Sequence, residues 1–291
     1  MAWHRAGLAG TMDSVVAQVT DIRIYPLKSA SGVRLDSAVL SFSGLRGDRG
    51  WAIVAADGRN PWLGEQPRSL AIRAEATEDG GLILRADGWP DLAAHPDECG
   101  PLVALDFPGL SHALLGPAEA SRWVSDVMGA SLRLIRLPPG VTRPISPEHG
   151  GRPGEVTSLA WDAPVHLVTR ESLRQLEEWI AETAKEDGTD AAGVLPLNVA
   201  RFRPNVVTEG FPAFAEDDWA GVRIGGIDFR VTERCDRCAV TLYDPATIAK
   251  AKEPIRTLAR RRSWGGKTWF GIRMAPLAPG RIELGSPVVP L

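Results

Sequence analysis

Short β-branched and apolar runs follow one another along this chain, and Gly, Pro or Asp-Gly cuts each of them off within a few residues. Early in the chain these runs are 15–24, 33–42, 51–55, 69–75 and 82–85, with Tyr25-Pro26, Asp57-Gly58 and Asp87-Gly88 as turn signals between them. Strands spaced this closely leave no room for crossover helices. The pattern therefore excludes a doubly wound parallel sheet and predicts a meander or barrel. The 30 glycines and 23 prolines fit many short elements joined by turns, because no low-complexity run absorbs them.

Helices enter only where the period changes. Residues 117–128 place Ala120, Trp123, Val124, Val127 and Met128 on one face, with Pro117 at an early helical position and Gly129 to end it. A strand at 132–137 closes this first part. Residues 138–154 are rich in Pro, Gly and charge and read as a boundary or active-site loop. An apolar strand at 164–169 then leads into a helix over 171–186, whose buried stripe is Leu173, Leu176, Ile180 and Ala184, stopped by Asp187-Gly188. Strands are expected at 205–208, 222–224, 227–232, 239–242 and 269–274, with a short helix from about Pro254. The expected fold class is mixed and mainly β, in two parts, 15–137 and 138–291.

Charge and cysteine usage narrow the partners. A formal net charge of −3 gives no basic excess for nucleic acid or an anionic membrane. No apolar stretch approaches the roughly 18–20 residues of a membrane span. Residues 1–16 carry His4 and Arg5 but no apolar core or cleavage site of a leader, and Met12 is an alternative start. Cys99, Cys235 and Cys238 are too few for a disulfide framework, so a reducing, cytoplasmic compartment is expected.

Cys235-Asp236-Arg237-Cys238 is the densest chemical signal, and several chemistries compete for it. A zinc site needs four ligands, yet there is no second C-x-x-C, and His4, His95, His112, His149 and His166 show no ligand spacing nearby. A redox dithiol needs a helix starting at the first cysteine, whereas Ala239-Val240-Thr241 reads as a strand. A single thiolate on a soft metal is the third reading, with Arg234 and Arg237 favouring the thiolate. Two buried thiols packed in a barrel are the fourth.

The company these residues keep carries a resemblance. Tyr25-Pro26-Leu27-Lys28-Ser29, Gly47-Asp48-Arg49-Gly50-Trp51, Arg201-Phe202-Arg203-Pro204-Asn205, Phe214-Ala215-Glu216-Asp217-Asp218-Trp219 and Cys235-Asp236-Arg237-Cys238-Ala239-Val240-Thr241 occur in this order. Together they resemble the signature blocks of MOSC-domain proteins, among them the amidoxime-reducing component of mitochondria and bacterial reductases of N-hydroxylated bases. The resemblance implies an N-terminal β-barrel-like domain, a MOSC β-barrel domain and a molybdenum cofactor (molybdopterin) between them. It implies Cys238 as the metal's thiolate, with Lys28, Ser29, Arg49, Arg203, Asn205, Asp236 and Arg237 holding the cofactor and Thr169 and Arg170 near a further contact. Such residues suit a phosphate-bearing pterin, since guanidinium forks bind phosphate, lysine adds a point charge and an amide both donates and accepts.

Singly, the same residues have plainer readings. Lys28 and Arg49 read as solvated turn residues, Arg201 and Arg203 as surface ion-pair formers, and Asn205 as a turn former. Glu216 and Asp217 read as a solvated acidic turn. Two positions depart from the family pattern: Asp236 stands where relatives often have serine, and Ile248 where glycine is common. The implied activity is reduction of small N-hydroxylated or N-oxide compounds. Its electrons would come from a separate donor protein, because no four-cysteine cluster is present, and Asp218 is the candidate proton relay. The alternative is a cofactor carrier or a sulfur-transfer protein with a persulfide on Cys238. A pyridoxal phosphate enzyme with Lys28 as Schiff base lacks an assignable partner for the pyridinium nitrogen.

Overall fold

The computed structural model describes residues 17–291. The expectations for Met1, Met12, His4 and the beginning of the first strand at Val15 lie outside the described residues. Strands dominate, arranged in five sheets with three α-helices among the described residues.

The largest sheet has nine strands. Its order runs from Val33–Leu35 through Gln18–Ile24, Val206–Glu209, Val165–Thr169, Lys267–Pro276, Ile227–Asp236 and Gly221–Ile224 to Val288–Pro290, and Ser263–Trp264 folds back onto Lys267–Pro276. Within it, Val165–Thr169 and Val206–Glu209 run parallel. Parallel neighbours need a long crossover, which α2 (Arg170–Glu186) begins. The predicted stripe of α2 packs with Phe202, Leu258 of α3 (Ile255–Arg261) and Phe270 on one face of the sheet. Val19, Ile22, Val206, Phe229 and Ile272 fill the other face. Burial of each such side chain contributes about 1.5–3 kcal/mol.

Residues 46–137 build the second lobe. Trp51–Val54, Arg133–Arg136, Leu110–Leu115 and Leu102–Phe107 form one sheet, and Arg73–Ala76, Leu82–Arg85 and Leu92–Ala94 another. α1 (Ala118–Met128) packs Ala120, Trp123, Val124 and Val127 against Leu84 and Leu134. The lobes interlock, because Gln18–Ile24 and Val33–Leu35 belong to the large sheet and Ser37–Ser41 pairs with Gly280–Glu283 near the other end of the chain.

Local expectations fail where side-chain hydrogen bonds outbid the ladder. The strand expected at 239–242 is a single 3-10 turn, because the Thr241 amide and hydroxyl both return to the Cys238 carbonyl, at 3.2 and 3.1 Å. The run at 69–75 is split into a 3-10 turn, Pro67–Ala71, and a strand, Arg73–Ala76. Ile248 holds a left-handed backbone at φ 62°, the conformation that glycine adopts at least cost and a β-branched residue rarely takes.

The acidic turn is the largest correction. Glu216 is fully buried, and Ser172 Oγ donates to its two carboxylate oxygens at 2.7 and 2.9 Å. Asp217 pairs with Arg262. The Thr169 and Ser172 hydroxyls at the N-terminus of α2 hold the carboxylate inside in place of water. Burial nevertheless lifts the Glu216 carboxyl to about 7, against the Ser172 and Thr169 hydroxyls. A carboxyl raised in the folded state stabilises fully below its ordinary range, and that contribution fades as pH climbs through about 7. Glu216→Gln is therefore expected to gain on the wild type between about pH 5 and 8 by roughly 1–3 kcal/mol in urea unfolding. A difference independent of pH would contradict this reading.

Candidate functional site

Tyr25 ends the first strand with its ring buried and its hydroxyl donating to the Pro204 carbonyl at 3.2 Å. Two guanidiniums lie against that ring, Arg49 at 4.4 Å and Arg203 at 4.2 Å from its centroid. Arg49 donates to Asp48 at 2.6 Å, to Asn205 Oδ1 at 3.1 Å and to the Arg203 carbonyl at 3.2 Å. Arg203 reaches back to the Ala30 carbonyl at 2.7 Å. Ser29, Arg49 and Arg203 all hold left-handed backbones, at φ 73°, 46° and 57°. Such conformations cost about 1–3 kcal/mol each and concentrate where function needs them.

Asn205 is buried, and its amide is committed to the protein: Oδ1 accepts from Arg49 and from the His166 amide at 3.2 Å, and Nδ2 donates to the Arg23 carbonyl at 3.0 Å. Its role is to position Arg49 and His166. Lys28 is half-buried and is no solvated turn residue. Its Nζ donates to the Leu159 carbonyl at 2.8 Å and stands 4.9 Å from the Phe107 ring and 5.4 Å from that of Trp161. Arg143, which the sequence did not single out, is buried beside it and grips the carbonyls of Pro108, Ser158, Ala160 and Trp161. Burial first, then Arg143, Arg49 and Arg203, pull the Lys28 ammonium down to about 7. Burial and Arg49 likewise bring Arg203 down to about 10.

The cysteine segment is stitched to these cations from two sides. Arg237 donates to Cys235 Sγ at 2.8 Å and to the Phe202 carbonyl, next to Arg203, at 2.9 Å. Val240 and Tyr243 pack with Leu63 and Leu70, and Ser69 of that same stretch donates to the Ser29 carbonyl at 3.0 Å. Cys235 is buried, whereas Cys238 is exposed at the head of its 3-10 turn. Burial would raise the Cys235 thiol, but Arg237, Arg273 and His166 outweigh it and hold it at about 5. Asp236 turns from Arg237 to Arg273, at 2.7 Å. Beyond it, Glu233, His149 and Asp162 cluster with Arg273. Sequence spacing could not reveal this group, since its members come from four separate stretches of chain. The one signal was His149 inside the flagged loop.

The structure does not gather every expected residue. Thr169 caps α2 through Ser172, and Arg170 donates to Thr20 at 2.9 Å. Both lie at the far ends of the parallel strands that begin beside His166 and Asn205, roughly 10 Å away at the rise of a strand. Asp218 is exposed, with Arg234 at 3.6 Å, and stands outside the cluster. Arg201 forms no surface pair: it is 4% exposed and bonds Thr241 and Asp244. A cleft of 560 Å³ opens elsewhere, lined by Ile24, Gly47, Gly50, Trp51, Gly80 and Arg136 and by none of the expected site residues.

Two family models match the chain, the MOSC N-terminal beta barrel domain over residues 16–131 and the MOSC domain over residues 148–289. The mitochondrial amidoxime reducing component 2 of Bos taurus is 28% identical over 99% of this chain and 87% of its own length. The mitochondrial amidoxime-reducing component 1 of Mus musculus is 29% identical over 94% of this chain and 82% of its own. The molybdenum cofactor sulfurase of Danio rerio is 28% identical over 97% of this chain, which spans only 35% of that longer protein.

Lys28, Arg143 and Arg203 form no salt bridge among the described residues, and sulfate supplies a dianion across the neutral range. Lys28 must be charged to receive it, so sulfate is expected to protect the cofactor-free protein from thermal unfolding more strongly at about pH 6 than at about pH 8. Lys28→Met is expected to remove most of that pH dependence and, by relieving repulsion, to raise the melting temperature without sulfate by a few degrees or so. Equal protection at both pH values would contradict the assignment.

Proposed function

This chain belongs to the MOSC-domain proteins, and on that premise we propose that it holds a molybdenum cofactor and reduces small N-hydroxylated compounds, with electrons from a separate donor protein. The observation that carries the reading is the imbalance of charge in the segments to which the cysteine turn is tied. Lys28, Arg143 and Arg203 form no salt bridge among the described residues, whereas Arg237 faces the Cys235 thiolate. Buried cations without partners are costly, and a phosphate-bearing ligand offsets that cost. The residues therefore fit the group that the family implies.

Lys28, Arg49 and Arg203 would hold its anionic end, with Asn205 and Tyr25 setting the two guanidiniums. Cys238 would ligate the metal, and Arg237 would hold the segment that presents it. When bound, the cofactor supplies two-electron redox chemistry and a soft centre suited to a thiolate. The protein's share is to orient substrate, exclude competing ligands and supply protons. The three cysteines are all free thiols. No helix among the described residues is long and apolar enough to cross a membrane.

The likeness to a molybdenum cofactor sulfurase supports a second reading, a carrier or sulfur-transfer protein with a persulfide on Cys238. Turnover separates the two. In protein made in a cofactor-competent host and supplied with a reduced artificial donor, benzamidoxime reduction is expected, with Cys238→Ser losing at least about 10²-fold in kcat and Cys235→Ser keeping most of it. Equal losses would return the pair to a dithiol. Tight molybdenum binding without turnover, and sulfur on Cys238 by mass spectrometry, would favour the carrier.

A further inference from the structure

His149 lies between two carboxylates. Its Nδ1 faces Glu233 Oε1 at 2.9 Å and its Nε2 faces Asp162 Oδ1 at 3.4 Å. The local fold enforces this position. Ser146 caps the turn Pro147–His149, and Gly150 follows at φ 72° so close to the sheet that a Cβ there would meet the Thr232 carbonyl at 2.2 Å. A neutral imidazole has one donor and one acceptor nitrogen, so one of these contacts would set a lone pair against an oxygen. A proton shared between ring and carboxyl removes that conflict.

Three ligand-type residues converging this closely also suggest a cation site. The guanidinium of Arg273 already fills that place: it bonds Glu233 and Asp236 and stands 3.5 Å from Asp162 Oδ2. Asp162 Oδ2 is buried and has no hydrogen-bond partner. Asp162 also directly follows the stretch whose carbonyls Lys28 and Arg143 grip. The His149 side chain is 21% exposed and that of Asp162 12%, and Asp162 lies near enough to Lys28 to act on its charge.

We propose that His149 and Asp162 form a proton-holding pair that supplies the reductive cleavage of the N–O bond from the Lys28 side of the site. This rests on the reductase reading. Reducing R–C(NH2)=N–OH to the amidine takes two electrons from the donor protein and two protons. The N–O bond breaks, one proton joins the nitrogen, and the other joins the departing hydroxyl to give water. Asp162 is the inner group, and His149 reloads it from solvent. Glu233 and Arg273 fix the ring, Asp236 shares Arg273, and Lys28 and Arg143 face Asp162 from the other side.

The test uses molybdenum-loaded protein, benzamidoxime and a reduced artificial donor. His149→Gln and Asp162→Asn are each expected to lower kcat by about 10²-fold with KM and molybdenum content little changed, and to flatten the pH profile of kcat. Added imidazole is expected to restore part of kcat to His149→Ala. Wild-type kcat in both variants, or loss of kcat only in proportion to loss of molybdenum, would overturn the proposal. A protein that reduces no N-hydroxylated compound would instead sink the reductase reading. The pair itself is then judged by the nitrogen chemical shifts of the His149 ring, which Asp162→Asn is expected to move. No movement would show that the two groups share no proton.

Discussion

Mutual repulsion among partly buried cations is the constraint on which this site depends. Arg49 and Arg203 stand against one tyrosine ring, and Lys28 and Arg143 crowd the same region. Arg49 has a close acid in Asp48, and Asp162 acts on Lys28 and Arg143 without forming a salt bridge to either. In a low-dielectric setting, like charges at such distances work against folding unless something of opposite sign joins them. The fold accepts this arrangement and pins each group through backbone carbonyls at Leu159, Ala30, Phe202 and the Pro108–Trp161 region. Carbonyl contacts orient a cation without neutralising it. Cations pinned in this way are suited to an anionic ligand.

The sheets explain why such a cluster can exist. Tyr25 to Ala30 follow a strand paired with Val206–Glu209, and Arg203 and Asn205 immediately precede that partner strand. Cys235 to Cys238 leave the strand paired with Lys267–Pro276. The first two segments are thereby delivered to one end of a continuous sheet, while the cysteine segment leaves opposite Trp269, toward the Thr169 end, and is tied to them by the Arg237 bond to the Phe202 carbonyl. Left-handed backbone at Ser29, Arg49 and Arg203 completes the convergence. The core on both faces of the sheet outweighs that local strain.

Much of this was legible in the residues. Run length and Gly/Pro punctuation gave the β-rich class, and the two long helices were found because their apolar period is unambiguous over three turns or more. Strands such as Leu102–Phe107 and Leu110–Leu115 escaped notice, since their outward faces dilute the alternation. The 239–242 turn was misjudged because Thr241 carries high strand propensity but bonds locally. Motif order pointed to Lys28, Arg49, Arg203 and the cysteines, yet said nothing of which side chains turn inward. Glu216 and Arg201 looked solvated until the α2 terminus and the Thr241 carbonyl supplied buried partners. Arg143, His149, Asp162 and Arg273 join only through tertiary contacts, which no spacing rule encodes.

The central claim is that a heavy metal meets this chain through one exposed sulfur, that of Cys238. X-ray absorption at the molybdenum edge of protein from a cofactor-competent host tests it most directly. The account predicts a protein sulfur in the metal's coordination shell in addition to those of the pterin, and its loss in Cys238→Ser but not in Cys235→Ser. An identical sulfur shell in all three proteins would contradict it.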